Sequence, residues 1–197
     1  MSESKLQVLA VVGSLHPTSV THAVVRLVSN QLERDGCAVD LVDFSKEPLP
    51  LFNPATAYTS AAFLALKPRV ERAEVLILGT PDYHGSISSG LKNFLDHFWR
   101  EFAGKLFVTV VASHDKGLTV TDQLRTVARQ CYAWSLPYGV AFADGKDVQG
   151  DRVISAALEE RLQMLVRDAR VYGELLARQR QADLVETGPG FLARLRK

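Results

Sequence analysis

Five short apolar runs recur at wide intervals along the chain: Leu6 to Val12, Cys37 to Val42, Glu74 to Leu78, Lys105 to Ala112 and about Ser135 to Phe142. Each is nearly continuous in Val, Leu, Ile or Phe. A strand with one wet face alternates apolar and polar residues, so uninterrupted runs imply strands covered on both faces. Between them the apolar period becomes helical. Val24, Leu27, Val28 and Leu32 fall on one stripe, and Leu91, Phe94, Leu95, Phe98 and Phe102 on another. Ser60 to Arg72 reads as a weaker helix because Pro68 interrupts it. A long helical pattern over 151–180 puts Leu158, Leu162, Leu165, Val166, Ala169 and Leu176 on one stripe. Strand and helix alternating in this way predict an α/β fold. It is a three-layer α/β/α sandwich around a five-stranded parallel sheet, joined by right-handed crossovers.

With 197 residues, 47% apolar and 23% charged, the chain is sized for one domain with a packed core. We expect that domain over 1–180. Residues 181–197 read as a tail, loose or docking on a neighbouring subunit through Leu184, Phe191, Leu192 and Leu195. Lys and Arg number 23 against 22 Asp and Glu, a formal charge of +1 that gives no general pull toward nucleic acid or an anionic membrane. The first apolar stretch, eight residues from Leu6, is too short for a signal peptide, and no run approaches the roughly 20 residues that span a bilayer. Cys37 and Cys131 fit neither a disulfide framework nor a CxxC motif and read as buried free thiols. A cytoplasmic protein is expected.

Open α/β sheets bind ligands beyond the carboxyl ends of their strands, where the strand order reverses, so the loops after strands one, three and four carry the expectation of function. The first, VVGSLHPTSVTHAVV, leaves its strand at Gly13. It sets Ser14, Thr18, Ser19 and Thr21 at a helix N-terminus, where free N–H groups and the helix dipole favour an anion. One hydroxyl is accounted for by capping; four in eight residues suit a phosphate. No GxxxxGK[ST] or GxGxxG occurs, which speaks against ATP hydrolysis and a Rossmann dinucleotide site. The second loop, TPDYHGSISSG, is shaped by Pro81 and Gly85 and offers backbone N–H groups to a flat heterocycle, or merely caps a helix. The third, SHDKGLT, adds Ser113, His114, Lys116 and Gly117. His16, His84 and His114 share these loops, yet their spacing matches no metal motif, and no metal is expected. Trp99, Tyr132 and Trp134 read as core or interface residues.

GSLxxxS after the first strand and TPDYHGSISSGLKNFLD after the third resemble the NADPH-dependent FMN reductase family of flavodoxin-like proteins, which includes quinone, chromate and azo-dye reductases. The resemblance spans about Leu6 to Val140. It implies strand order 2-1-3-4-5, non-covalently held FMN, NADPH or NADH as co-substrate, a small-molecule electron acceptor and a homodimer or homotetramer. Carried over position by position, Ser14, His16, Ser19, Val20 and Thr21 fall where the family holds the FMN phosphate. Pro81, Asp82, Tyr83, His84, Gly85 and Ser86 fall along its ring and ribityl chain, and Ser113 and Gly117 at a third flavin-side loop. The flavin carries the chemistry, so no catalytic acid is expected; Tyr83 and His84 are expected to tune it. His16 stands where the family has arginine, Thr21 and His84 where it has asparagine, and Ser88 where it has proline. The aromatics of 91–102 are expected to supply a dimer face or to fill the core. A flavodoxin-like electron carrier or a flavin-binding regulatory module is the alternative, although carriers of that kind are strongly acidic.

Overall fold

The structure, a computed structural model, describes residues 5–16 and 18–195; the remaining ends of the expected domain and tail lie outside these. The central sheet is built from β1 (Gln7–Val12), β2 (Ala38–Asp43), β3 (Val75–Tyr83), β5 (Leu106–Ala112), β6 (Trp134–Ser135) and β7 (Val140–Phe142), with a short β4 (Ser86–Ile87) returning along β3. Its order is β2-β1-β3-β5, followed by β6 and β7 side by side with successive halves of β5. Counting β6 and β7 as one broken fifth strand, this is the 2-1-3-4-5 order. The break falls at 136–139, where Pro137 cannot donate to a ladder. Only β3 and β4 pair antiparallel in this sheet.

Successive residues of each strand enter opposite layers. Val8, Ala10 and Val12 pack with Val24, Val25, Val28 and Leu32 of α1 (Val20–Arg34) and with Leu158 to Ala177 of α5 (Ala156–Val185). Leu9 and Val11 pack with α2 (Ala61–Arg72), α3 (Ser89–His97) and α4 (Leu118–Gln130) through Phe63, Phe94 and Leu124. Both faces are dry, which is why the strands read as unbroken apolar runs.

Several expectations change. Helix α2 is continuous across Pro68. Buried Phe63, Leu66 and Val70 hold one side, and Arg69 is clamped by Asp40 at 2.7 Å and Glu47 at 2.7 Å. Residues 151–155 are not helical. Arg152–Val153 is a strand, β9, paired antiparallel with β8 (Val148–Gln149) around a two-residue turn, and α5 then runs on to Val185. Phe94, Phe98 and Phe102 turn into the core and only Trp99 of that group is exposed, so this helix offers no aromatic face to a partner. Beyond α5, Leu192 is buried beside Gly104 of its own chain, while Phe191 stacks on Tyr132 with ring centres 6.4 Å apart. Cys37 and Cys131 are buried free thiols, and burial raises the pKa of each.

Candidate active site

β1, β3 and β5 are neighbours in the sheet and all run in the same direction. Their following loops therefore emerge on one edge, and the sequence-derived site residues come together there in three groups.

The first group follows β1. Gly13 sits so close beneath the sheet edge that an added Cβ would lie 2.6 Å from Leu91 Cβ and 2.8 Å from the Gly79 carbonyl. Its N–H donates to that carbonyl at 2.8 Å. Ser19 caps α1, its hydroxyl accepting from the His22 N–H at 3.2 Å. Ser14 is buried and accepts from the His16 N–H at 3.3 Å. Thr18 lies 3.3 Å from His16 Nδ1. The Val20 and Thr21 N–H groups belong to the first turn and have no acceptor within the helix. Thr21 is fully buried, and its hydroxyl has no partner among the described residues. A buried hydroxyl without a partner among the described residues, beside first-turn donors that have no acceptor within the helix, is costly. A phosphate monoester placed here supplies the missing acceptor, so these residues fit the phosphate of FMN.

The second group is a hairpin rather than a loop. β3 continues to Tyr83 instead of ending near Leu78, and Asp82 and Tyr83 pair with Ile87 and Ser86 of β4. Pro81 is tolerated because pairing with β1 has ended at Gly79 while pairing with β5 goes on to Ala112, leaving one side of the strand open. His84 and Gly85 form the two-residue turn, with φ of 58° and 76°. Positive φ at both positions is the type I′ pattern, for which Asn-Gly is the preferred pair. His84 therefore occupies a strained position that asparagine tolerates better. His84→Asn should stabilise the protein by about 0.5–1 kcal/mol, read as a higher urea midpoint; an unchanged or lower midpoint would refute the turn assignment.

The third group follows β5. Ser113 is buried, and Gly117, with φ 60°, starts α4. Bonds between distant segments lock the three groups together. The Ser88 hydroxyl donates to the Gly13 carbonyl at 2.8 Å, joining the first and second. Ser88 also accepts from the Leu91 N–H as the cap of α3, a task the family's proline cannot perform. Asp82 joins the second and third. One carboxylate oxygen accepts from the Gly85 N–H at 2.8 Å and the other from the Ser113 hydroxyl at 2.9 Å. Asp82 is thus a strut, and the Gly85 N–H is already engaged, leaving the unpaired His84 N–H as the turn's donor toward a ligand.

Gln123 of α4 did not stand out in the sequence. Its Oε1 accepts from the Ile87 N–H at 3.1 Å and the Ser86 hydroxyl at 3.2 Å, and its Nε2 reaches the Gly85 carbonyl at 3.4 Å. A glutamine on the polar face of a helix reads as solvent-facing, and nothing in its local pattern signals the clamp. His16, His84 and His114 are exposed, and among the described residues no group of three His, Cys, Asp or Glu is placed to hold a metal ion.

A doubly wound parallel sheet of this order, with a phosphate-ready helix start and a backbone hairpin at its switch point, defines a flavodoxin-like protein. A model of the NADPH-dependent FMN reductase family matches residues 6–147, and the chain belongs to that family: it is an FMN-dependent NAD(P)H oxidoreductase. It is similar to an FMN-dependent NADPH-azoreductase of Staphylococcus haemolyticus (strain JCSC1435), 28% identical over 144 residues, covering 69% of this chain and 76% of the relative. The corresponding azoreductase of Staphylococcus aureus (strain USA300) is 27% identical over the same length and shares. Among solved structures, the apo form of an NADH:FMN oxidoreductase superposes with TM-score 0.68 at 16% identity over 84% of this chain and 88% of that one. The flavoenzyme NAD(P)H:(acceptor) oxidoreductase FerB of Paracoccus denitrificans superposes with TM-score 0.67 at 21% identity over 85% and 96%.

Proposed function

We propose that the FMN phosphate lies at Ser14, His16, Ser19, Val20 and Thr21. The ring and ribityl chain would lie along Pro81 to Ser86, with Ser113 and Gly117 closing the third side. The buried, unpaired hydroxyl of Thr21 in the first turn of α1 carries this reading. FMN, when bound, accepts hydride from NADPH or NADH and passes electrons to a second substrate. The protein's part is positioning. The hairpin turn presents the His84 N–H, a donor of the kind that stabilises negative charge developing on a ring edge. Tyr83, 55% exposed beside it, borders the face where a nicotinamide and then an acceptor would stack in turn. Ordered replacement of one by the other gives ping-pong kinetics.

The azoreductase relatives favour azo compounds as acceptors, with quinones as the next class. The buried free thiols suit a reducing cytoplasm. The exposed rings of Trp99, Tyr132, Trp134 and Phe191 favour a homodimer or homotetramer.

Purified protein supplied with FMN should be yellow and oxidise NADPH continuously in the presence of an azo dye or quinone, with parallel double-reciprocal plots. Tyr83→Ala should lower turnover with the acceptor about tenfold and leave the melting temperature unchanged. Bound FMN without steady-state NAD(P)H consumption would instead assign the chain to electron carriage or regulation.

A further inference from the structure

His22 stands in the first turn of α1, one place beyond the buried Thr21 of the candidate phosphate site, and Ser19 caps its N–H. Its side chain reaches the end of β2. Nε2 is buried 3.3 Å from Asp43 Oδ2, yet among the described residues it makes no hydrogen bond. Asp43 is itself buried and is the last residue of β2. Ser45 donates to its other oxygen, Oδ1, from the N–H at 3.0 Å and from the hydroxyl at 2.6 Å, and Lys46 Nζ lies 3.5 Å from Oδ2. Burial raises the Asp43 pKa, but the Ser45 bonds, His22 and Lys46 together outweigh it, so the carboxylate stays ionised.

The imidazole is pulled both ways. Burial lowers the pKa of His22 from 6.5, Arg26 and Lys46 act in the same direction, and Asp43 opposes them. The positive end of the helix dipole adds a further cost to a cation, and α1 has no acidic residue in its first turn to offset it. The outer side of His22 borders the cleft between α1, the β8–β9 hairpin and the start of α5, where Arg34 and Arg152 are balanced by Asp151 and Glu159. In the flavin-free protein His22 is therefore neutral at pH 7. With a phosphate dianion at the first turn the balance reverses, because the adverse helix end is neutralised and the imidazole lies in the field of two negative groups.

We propose that His22 is a positioning residue of the phosphate site that takes up a proton as FMN docks, with Asp43 holding the imidazolium against the start of α1. This inference rests on the placement of the FMN phosphate given above. Since the complex then holds a proton that the free protein lacks, affinity for FMN falls as the pH rises from 7. The second ionisation of the phosphate, at about pH 6, acts in the opposite sense and is largely complete above pH 7.

The test titrates FMN into flavin-free protein, by fluorescence from pH 7 to 8.5 and by calorimetry at pH 7 in buffers of different ionisation enthalpy. Riboflavin serves as the ligand without a phosphate. Wild type should bind FMN about fivefold more weakly at pH 8.5 than at pH 7, and should take up about half a proton per FMN at pH 7. Riboflavin should bind more weakly and show neither effect. His22→Gln, its folding checked by circular dichroism, should lose most of the uptake and hold its FMN affinity within about twofold across the range. His16→Gln should keep most of the uptake, which separates His22 from the exposed histidine of the same loop. A pH slope shared by riboflavin, an uptake that persists in His22→Gln, or one that vanishes in His16→Gln instead would overturn the assignment. Tight FMN binding without proton uptake overturns this inference alone. FMN bound no more tightly than riboflavin overturns the phosphate placement, and the role of His22 falls with it.

Discussion

Asp82→Ala is expected to leave a folded protein whose dissociation constant for FMN is some 30- to 100-fold higher. Asp82 contacts the turn and the third loop, and its two bonds, to the Gly85 N–H and the Ser113 hydroxyl, fix both segments of the proposed FMN site. Hydrogen bonds to a charged acceptor contribute about 1.5–3 kcal/mol each, and part of that is recovered when water replaces the carboxylate at this half-buried position. A net loss of about 2–2.7 kcal/mol in preorganisation corresponds to the stated range. The β-sheet beneath is unaffected, because β3 remains paired with β5 from Val75 to Pro81. Asp82→Asn separates charge from geometry. Its amide oxygen can still accept from Gly85 and its NH₂ can donate to the Ser113 oxygen once that hydroxyl turns away, so FMN binding should fall less than fivefold. Fluorescence titration of FMN measures both variants. If Ala and Asn weaken binding equally, the carboxylate acts by its charge on the ligand and the strut assignment is wrong.

The contrast between Asp82 and Tyr83 shows what the sequence could disclose. The three loops were legible because strand ends are marked by the loss of apolar character, and because the chemistry of a phosphate or heterocycle site demands glycine, hydroxyls and a helix start close together. The roles within those loops were not legible. Ser88 reaches Gly13 across 75 positions, Asp82 reaches Ser113 across 31, and Gln123 reaches Gly85 across 38. Such bonds depend on which strands lie side by side, and no local pattern encodes them. The same reason explains the misjudged helix boundaries. Residues 151–155 lack a strong strand pattern and fold back only because Val148 finds Val153. Pro68 weakens α2 locally, but the buried face and the Arg69 clamp outweigh the loss of one backbone bond, which costs about 3 kcal/mol at most sites. Leu27 follows the helical period and is nonetheless exposed, because the cleft between α1 and the start of α5 leaves it without a covering element.

Raising the pH from 7 to 9 is expected to stabilise the protein through Lys105, at the opposite edge of the sheet from the loops of the candidate site. This lysine begins the run that becomes β5 and is almost completely buried. Its Nζ donates to the carbonyls of Val70 at 2.5 Å and Glu71 at 3.0 Å, closing the C-terminal turn of α2. Burial lowers its pKa from 10.5 to about 7, with Arg180 acting in the same direction and Glu101, Glu71 and Glu74 opposing. The sign follows from proton counts. Between pH 7 and 10.5 the unfolded chain holds a proton on this amine that the folded chain has released, so stability rises with pH across that window. Below it both states are charged and the folded state bears the full cost of the buried ammonium; above it both are neutral. The slope approaches 1.4 kcal/mol per pH unit where the two states differ by a whole proton. Urea unfolding at pH 7, 8 and 9 should show wild type gaining roughly 2 kcal/mol relative to Lys105→Met over that range. Met removes the titrating group while keeping an unbranched chain in the same space. The variant will start from a different stability because two carbonyls lose their donor, so the difference in slope is the observable. Parallel pH profiles for the two proteins would show that Lys105 keeps its proton in the folded state, its charge balanced by the helix end it caps.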